Sequence, residues 1–189
     1  MALPFILERR LVIVQSKVRG VSARELGRFA ARAQRAAGVR GEVDVLITSS
    51  AHMRRLNRRF RGKDAATDVL SFPCDNDKIH HGAAETRRNS FSKTSVSPCP
   101  SGGCRTGDIA ISAEVAARNA LRLGHSAMEE MQILILHGLL HLAGYDHETD
   151  AGAMARKEAR LRRAFGLPTA LIDRTTADGT HRPAKRPRS

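Results

Sequence analysis

Apolar and polar positions along the chain alternate between two periods, one suited to strands and one to helices. Residues 5 to 14 hold two short apolar runs around charges and predict a first strand. Ser22 with Glu25 three residues on predicts a capping box, and Val21 with Leu26 the flanking staple. Leu26, Phe29, Ala30, Ala33 and Ala37 then recur at helical spacing, with Arg24, Arg28, Arg32 and Arg35 on the other face and Gly38 as the stop. That arginine stripe reads as a solvated face. Residues 42 to 48 alternate into an apolar run, a second strand. Ser49 or Ser50 can cap a short helix with Met53, Leu56 and Phe60 turned inward. Residues 69 to 72 read as a third strand stopped by Pro73, and residues 107 to 112 as a fourth that runs into a helix over 113 to 123. Ser126 and Glu129 form another capping box, opening a long helix that reaches Ala143. From Ile133 to Leu142 it is apolar on every side except at two histidines, so it should cross the core. A last helix, from about Asp150 to Phe165, turns Met154, Leu161 and Phe165 inward before Gly166 and Pro168 stop it. The expectation is an α+β fold: a small mixed sheet of about four strands packed with about five helices.

Residues 74 to 106 break the pattern, being rich in Ser, Gly, Pro, Asn and charge with no usable period. A loop of this length is uncommon in a compact domain unless functional or disordered, and it is expected to be a mobile insertion. It contains His80, His81, Cys99 and Cys104, but the spacing of its cysteines is not that of a good zinc knuckle. Residues 1 to 168 are expected to form one catalytic domain, and residues 169 to 189 a basic, disordered tail.

Composition narrows the setting. A chain of 189 residues with 41% hydrophobic content suits one domain with a substantial core. There is no apolar run long enough for a membrane span, no signal-peptide pattern at the start, and too few cysteines for a disulfide framework. A cytoplasmic protein is expected. The net charge of +13 points to a polyanion, most often nucleic acid. Part of it belongs to the tail, but Arg54, Arg55, Arg58, Arg59, Arg61 and Lys63 form a dense basic patch on and after the short second helix. Aromatics are scarce, with no Trp and one Tyr, so broad base stacking is poorly supplied.

The chemistry concentrates in the run from His137 to His147. His137 and His141, four residues apart, share one face of the long helix. Gly144 can take the left-handed conformation that turns the chain back, bringing His147 to the same point. Three imidazoles with no fourth protein ligand on offer is the layout of a catalytic zinc with an open position. The alternative is three separate structural histidines. The spacing matches metzincin proteases, but these need a glutamate after the first histidine, where this chain has Gly138. A peptidase of that type would lack its base.

The string His137-Gly-Leu-Leu-His141-Leu-Ala-Gly-Tyr-Asp-His147 is similar to the signature of the YbeY-type endoribonucleases, bacterial rRNA maturation factors. Two more blocks resemble that family: residues 57 to 64 followed by Thr67-Asp68-Val69-Leu70-Ser71-Phe72-Pro73, and residues 107 to 112. With Met154 to Glu158, the likeness spans most of residues 43 to 166. The insertion is longer than expected for the family and the tail is extra, which bears on substrate range and partners. The resemblance implies a zinc-dependent, single-strand-specific endoribonuclease acting in 16S rRNA 3′-end maturation and ribosome quality control. It implies one Zn2+ held by His137, His141 and His147, and a functional arginine at Arg61. It implies rRNA and the small ribosomal subunit as partners, with ribosomal-protein or assembly-GTPase contacts. Asp146 and Asp68 are candidate bases; each could equally fix a histidine tautomer, and Asp68 could simply cap or turn. Arg54, Arg55, Arg58, Arg59 and Lys63 are candidates for gripping RNA on either side of the cut. A competing reading is a ribosome-assembly factor that binds RNA and whose zinc is structural.

Overall fold

A computed structural model describes residues 12–74, 105–147 and 150–168. The elements run β1 (Val12–Val14), α1 (Ala23–Ala37), β2 (Glu42–Thr48), α2 (Ser50–Arg61), β3 (Val69–Pro73), β4 (Arg105–Ser112), α3 (Ala113–Leu123), α4 (Ala127–Leu142) and α5 (Ala153–Phe165). The fold is α+β, with five helices and one four-stranded mixed sheet among the described residues. The sheet order is β1-β2-β4-β3, parallel except for the antiparallel β3–β4 pair. Among the described residues β3 is therefore an edge strand.

The helix starts follow the serines. Ser22, Ser49, Ser112 and Ser126 each accept a backbone N–H of the first turn that follows them, which satisfies a donor the helix cannot. Only Ser126 completes the reciprocal box, its own N–H bonding Glu129 Oε2 at 2.8 Å. At Ser22 the expected return bond from Glu25 is not made, and only the serine half of the cap forms. Ser49 caps α2; Ser50 instead ties that helix to α3 through Ser112 Oγ at 2.9 Å and Glu114 Oε2.

The two faces of the sheet are unequal. Val43, Val45, Ile47, Ile109 and Ile111 point into the main core with Leu26, Phe29 and Ala33 of α1, the apolar run of α4, and Met154 and Leu161 of α5. On the other face α2 makes a smaller cluster, Met53 against Leu70 and Ala110, with Leu56 and Phe72 at its margin. As the alternation demands, β3 thus sends Leu70 and Phe72 toward α2, while Ser71 faces α4 and gives its hydroxyl to the Gly138 carbonyl at 3.3 Å.

Gly107 sets how closely these parts meet. A Cβ there would fall inside contact distance of the Phe72 carbonyl oxygen and 2.8 Å from Leu142 Cδ2. The C-terminal end of α4 therefore lies at the same end of β3 as Phe72.

Three expectations shift, and others fall only partly within the described residues. Phe60 is not an inward residue but 56% exposed: among the described residues β3 is the last strand on that side of the sheet, and Phe60 meets its Phe72 edge-on at the margin. β4 begins at Arg105 and Cys74 N–H bonds the Thr106 carbonyl at 2.9 Å, so both ends of the presumed 74–106 insertion are paired backbone. α5 starts at Ala153 rather than Asp150: Asp150 sits one turn ahead and accepts from Met154 N–H at 2.8 Å. Of the strand expected over residues 5 to 14, Val12–Val14 is seen; residues 1–11, 75–104 and the 169–189 tail lie outside the described residues, with His80, His81, Cys99 and Cys104.

Candidate metal centre

α4 is buried on nearly all sides because it runs between α1, α3, α5 and the sheet, which is why its sequence is apolar all round. Its histidines come at the C-terminal end. His137 is buried and His141 half-buried, one turn apart. Past Leu142 the helix is closed by Gly144 N–H to the His141 carbonyl and Tyr145 N–H to the Leu140 carbonyl, both 3.0 Å. This turn needs Gly144 at φ 87°, where a side chain would be strained. It returns the chain so that exposed His147 meets the other two, with one ligand atom from each of the three within 4.8 Å of the others. The sequence brought these three residues to one point, and the structure places them there.

The tautomers are fixed from outside. His141 Nδ1 lies 3.1 Å from the Tyr145 carbonyl oxygen, which only accepts, so Nδ1 carries the proton. His137 Nδ1 donates to Glu158 Oε2 at 3.0 Å. The Nε2 atoms are thereby left as acceptors, and they face each other at 3.1 Å. Two lone pairs at that distance repel unless positive charge lies beside them. Burial first, then the neighbouring His137 and His147, push the His141 pKa down to about 4, so His141 itself carries no such charge at neutral pH. A pre-aligned imidazole nitrogen set of this kind fits a borderline-soft divalent cation such as zinc.

Glu158 was missed as a site residue by sequence reasoning. It is fully buried on α5, with Oε2 on His137 and Oε1 on Arg162 Nη1 at 3.1 Å; Arg162 is itself 2% exposed and donates through Nε to the Pro168 carbonyl. The signal was present: Glu158 falls four residues after Met154 and three before Leu161, on the inward stripe of α5.

Gly138 also gains a structural reason. A Cβ at this position would lie 2.9 Å from Ile109 Cγ2 and 3.1 Å from Ser71 Oγ. Ile109 is fully buried and cannot give way, so α4 needs glycine here to lie on β3 and β4. The position faces the sheet, so any side chain there must first displace Ile109 and Ser71.

The other expected residues divide. Asp146 lies near enough to favour the charged form of His141. Asp68 Oδ1 accepts from Thr67 Oγ1 at 3.1 Å and Val69 N–H at 2.9 Å, local bonds that start β3. Arg54 forms a two-pronged ion pair with Asp64, 2.8 and 2.7 Å, which pins the loop after α2 and holds the Asp64 carboxyl below its ordinary range. Arg55, Arg58, Arg59, Arg61 and Lys63 are exposed along and after α2. Arg61 is its last residue, before Gly62 in the left-handed conformation.

Fold and site define a class, a small α+β domain whose longest helix and following turn hold three histidines poised for one metal ion. The family model described as Endoribonuclease YbeY matches residues 12–166. A protein named Endoribonuclease YbeY from Koribacter versatilis (strain Ellin345) is 48% identical over 176 residues, 93% of this chain and 95% of that one. Its namesake from Solibacter usitatus (strain Ellin6076) is 45% identical over 147 residues, 78% and 82% of the two chains. The solution structure of TM1509 from Thermotoga maritima aligns over 93% of this chain and 99% of that chain, with 22% identity and a TM-score of 0.48. The chain belongs to the YbeY family.

Proposed function

We propose that this protein is a zinc-dependent endoribonuclease that cuts single-stranded RNA, acting in 16S rRNA 3′-end maturation and ribosome quality control. It works in the cytoplasm on the small ribosomal subunit, in contact with ribosomal proteins or an assembly GTPase. The observation that carries the reading is the pair of facing Nε2 acceptors at 3.1 Å, fixed by Glu158 and the Tyr145 carbonyl, beside a strand, β3, whose Phe72 meets Phe60 in the arginine-rich last turn of α2. No helix among the described residues is long and apolar enough to cross a membrane.

His137 and His141, through Nε2, and His147 would hold one zinc ion. When bound, it supplies a Lewis acid for a phosphoryl oxygen and lowers the pKa of water. The remaining work belongs to the chain. Arg61 neutralises charge that builds on the phosphate during cleavage, as a planar donor suited to two oxygens at once. Asp146, within electrostatic reach of His141, is the better placed of the two carboxylates to accept a proton from the attacking oxygen. Asp68 holds the start of β3. Arg55, Arg58, Arg59 and Lys63 grip flanking phosphates, while Arg54 shapes the loop through Asp64. Residues 1 to 168 make up the catalytic domain, and the basic tail adds unspecific attraction to RNA.

The reading is tested by incubating zinc-loaded protein with an rRNA fragment in single-stranded form and annealed to its complement. It requires cutting of the single strand and protection of the duplex. Equal protection of both would leave an RNA-binding assembly factor as the better account. A 2′-deoxy nucleotide at the cut separates two nucleophiles: continued cutting means water attacks, and loss means the 2′-hydroxyl of the RNA does.

A further inference from the structure

The last turn of α2 exposes an aromatic ring that the metal chemistry does not use. Phe60 is 56% exposed, although the sequence places it in line with buried Met53. Its ring meets Phe72 edge-on, with centroids 5.0 Å apart and planes at 64°. The Arg59 guanidinium carbon stands over the Phe60 ring at 5.3 Å, so one ring face already accepts a flat cation. Phe72 is anchored beneath by Met53, Leu70 and Ala110, which gives the pair a fixed base.

Its location is the informative part. Phe72 follows Ser71, whose hydroxyl bonds the Gly138 carbonyl between the two α4 histidines. Leu142, next to His141, packs at Gly107, opposite Pro73 in the β3–β4 register. The aromatic pair and the histidine end of α4 thus lie at one end of an edge strand, on its two faces. No strand among the described residues lies beyond β3 to block a chain passing around that edge.

We propose that Phe60, braced by Phe72 and flanked by Arg59, is a stacking platform for one unpaired base of the RNA, beside the nucleotide whose phosphate is cut. This deepens the endoribonuclease reading and rests on it. The flanking side chains favour nucleic acid over a protein partner, since Arg59 stands over the ring and Arg55, Arg58, Arg61 and Lys63 add exposed positive charge suited to phosphates along the same helix and the loop after it. A base has a π-face whatever its identity, so the platform selects for strandedness and not for sequence. In a duplex both faces of each base are already stacked, and the ring has nothing to take. The platform is therefore a physical source of single-strand preference at a site that otherwise recognises only phosphate.

The chain contains no tryptophan, so Phe60→Trp introduces a single indole reporter at the platform. Zinc-loaded full-length Phe60→Trp is titrated with a short single-stranded RNA, with its duplex, and with a series carrying one abasic site at each position in turn. The proposal expects quenching by the single strand, little by the duplex, and loss of quenching at one abasic position near the cut. Phe60→Ala should bind the intact single strand roughly 5- to 100-fold more weakly, the usual worth of one stacked base. The critical abasic site should weaken the native protein but leave Phe60→Ala unchanged. Unaltered thermal unfolding of Phe60→Ala, expected for so exposed a ring, separates lost stacking from lost fold. Equal binding by native protein and Phe60→Ala, with cutting intact, would overturn the platform and leave the endoribonuclease reading standing. So would unchanged RNA binding together with lost association with ribosomal subunits, which would make this a protein-docking face. Native protein that neither binds nor cuts single-stranded RNA would overturn the underlying reading instead.

Discussion

Replacing Glu158 by glutamine perturbs the metal centre from behind while changing hardly any volume. The carboxylate is fully buried and serves two donors at once, His137 Nδ1–H at 3.0 Å and Arg162 Nη1–H at 3.1 Å. An amide has one oxygen, so one of these donors must face an N–H2 group. Arg162, 2% exposed, also loses a counter-charge in the core. Removing one member of a buried pair costs about 3–5 kcal/mol, a large share of a stability of about 5–15 kcal/mol. For a domain of this size that corresponds to a fall in Tm of roughly 6–20 °C. Loosening His137 should separately weaken metal binding by about 10- to 100-fold, the usual penalty for losing a carboxylate partner of a metal-binding histidine. Thermal unfolding of chelator-treated protein reads the first effect, and zinc competition against a chromogenic chelator reads the second. The double variant Glu158→Gln/Arg162→Met removes the buried charge together with its Glu158 partner and should regain much of the Tm but not the metal affinity. Native zinc affinity in a folded Glu158→Gln protein would refute the claim that Glu158 sets His137.

Gly138→Glu should not yield a peptidase; overpacking against Ile109 and Ser71 should cost about 1–3 kcal/mol or more in denaturant unfolding, and peptide cleavage would contradict the placement of that position. For metal-free protein, the His141 pKa of about 4 lies below the unfolded value near 6.5. The unfolded chain then binds more protons between these values, so stability is full above about pH 6.5 and falls as pH drops toward 4. Chemical denaturation across that window should show the slope reduced in His141→Ala. Removing Arg55, Arg58 and Arg59 together should flatten the salt dependence of single-strand binding by about 2 log units per log unit of salt, at roughly 0.7 per phosphate contact. Arg54→Ala should change that slope less than any of these three, since its charge is matched by Asp64.

Where local rules govern, the sequence could be read closely. The serines that start helices, the glycines that end them and the all-apolar stretch of α4 are signals carried within a few residues, and the three histidines meet because helix pitch and one glycine turn bring them together. What escaped depends on partners distant in the chain. Glu158 lies on the inward stripe of α5, but its role beneath His137 emerges only when α5 is laid against α4. Asn57, also buried, is held by the carbonyl of Ala65 in the returning loop. Phe60 obeys the apolar period of α2, but period says nothing about where the sheet beneath it stops. Gly138 was readable as a missing base; that it is also the contact between α4 and the sheet required the register of β3 and β4.

The central claim is that RNA is cut at the three-histidine centre. It is tested most directly by comparing native protein and His141→Ala, each stripped of metal and then given one equivalent of zinc, on the same single-stranded rRNA fragment. Cutting by the native protein only after zinc is restored, with His141→Ala inactive throughout, is the predicted result. Equal cutting by the two proteins, or undiminished cutting by the stripped native protein, would contradict it.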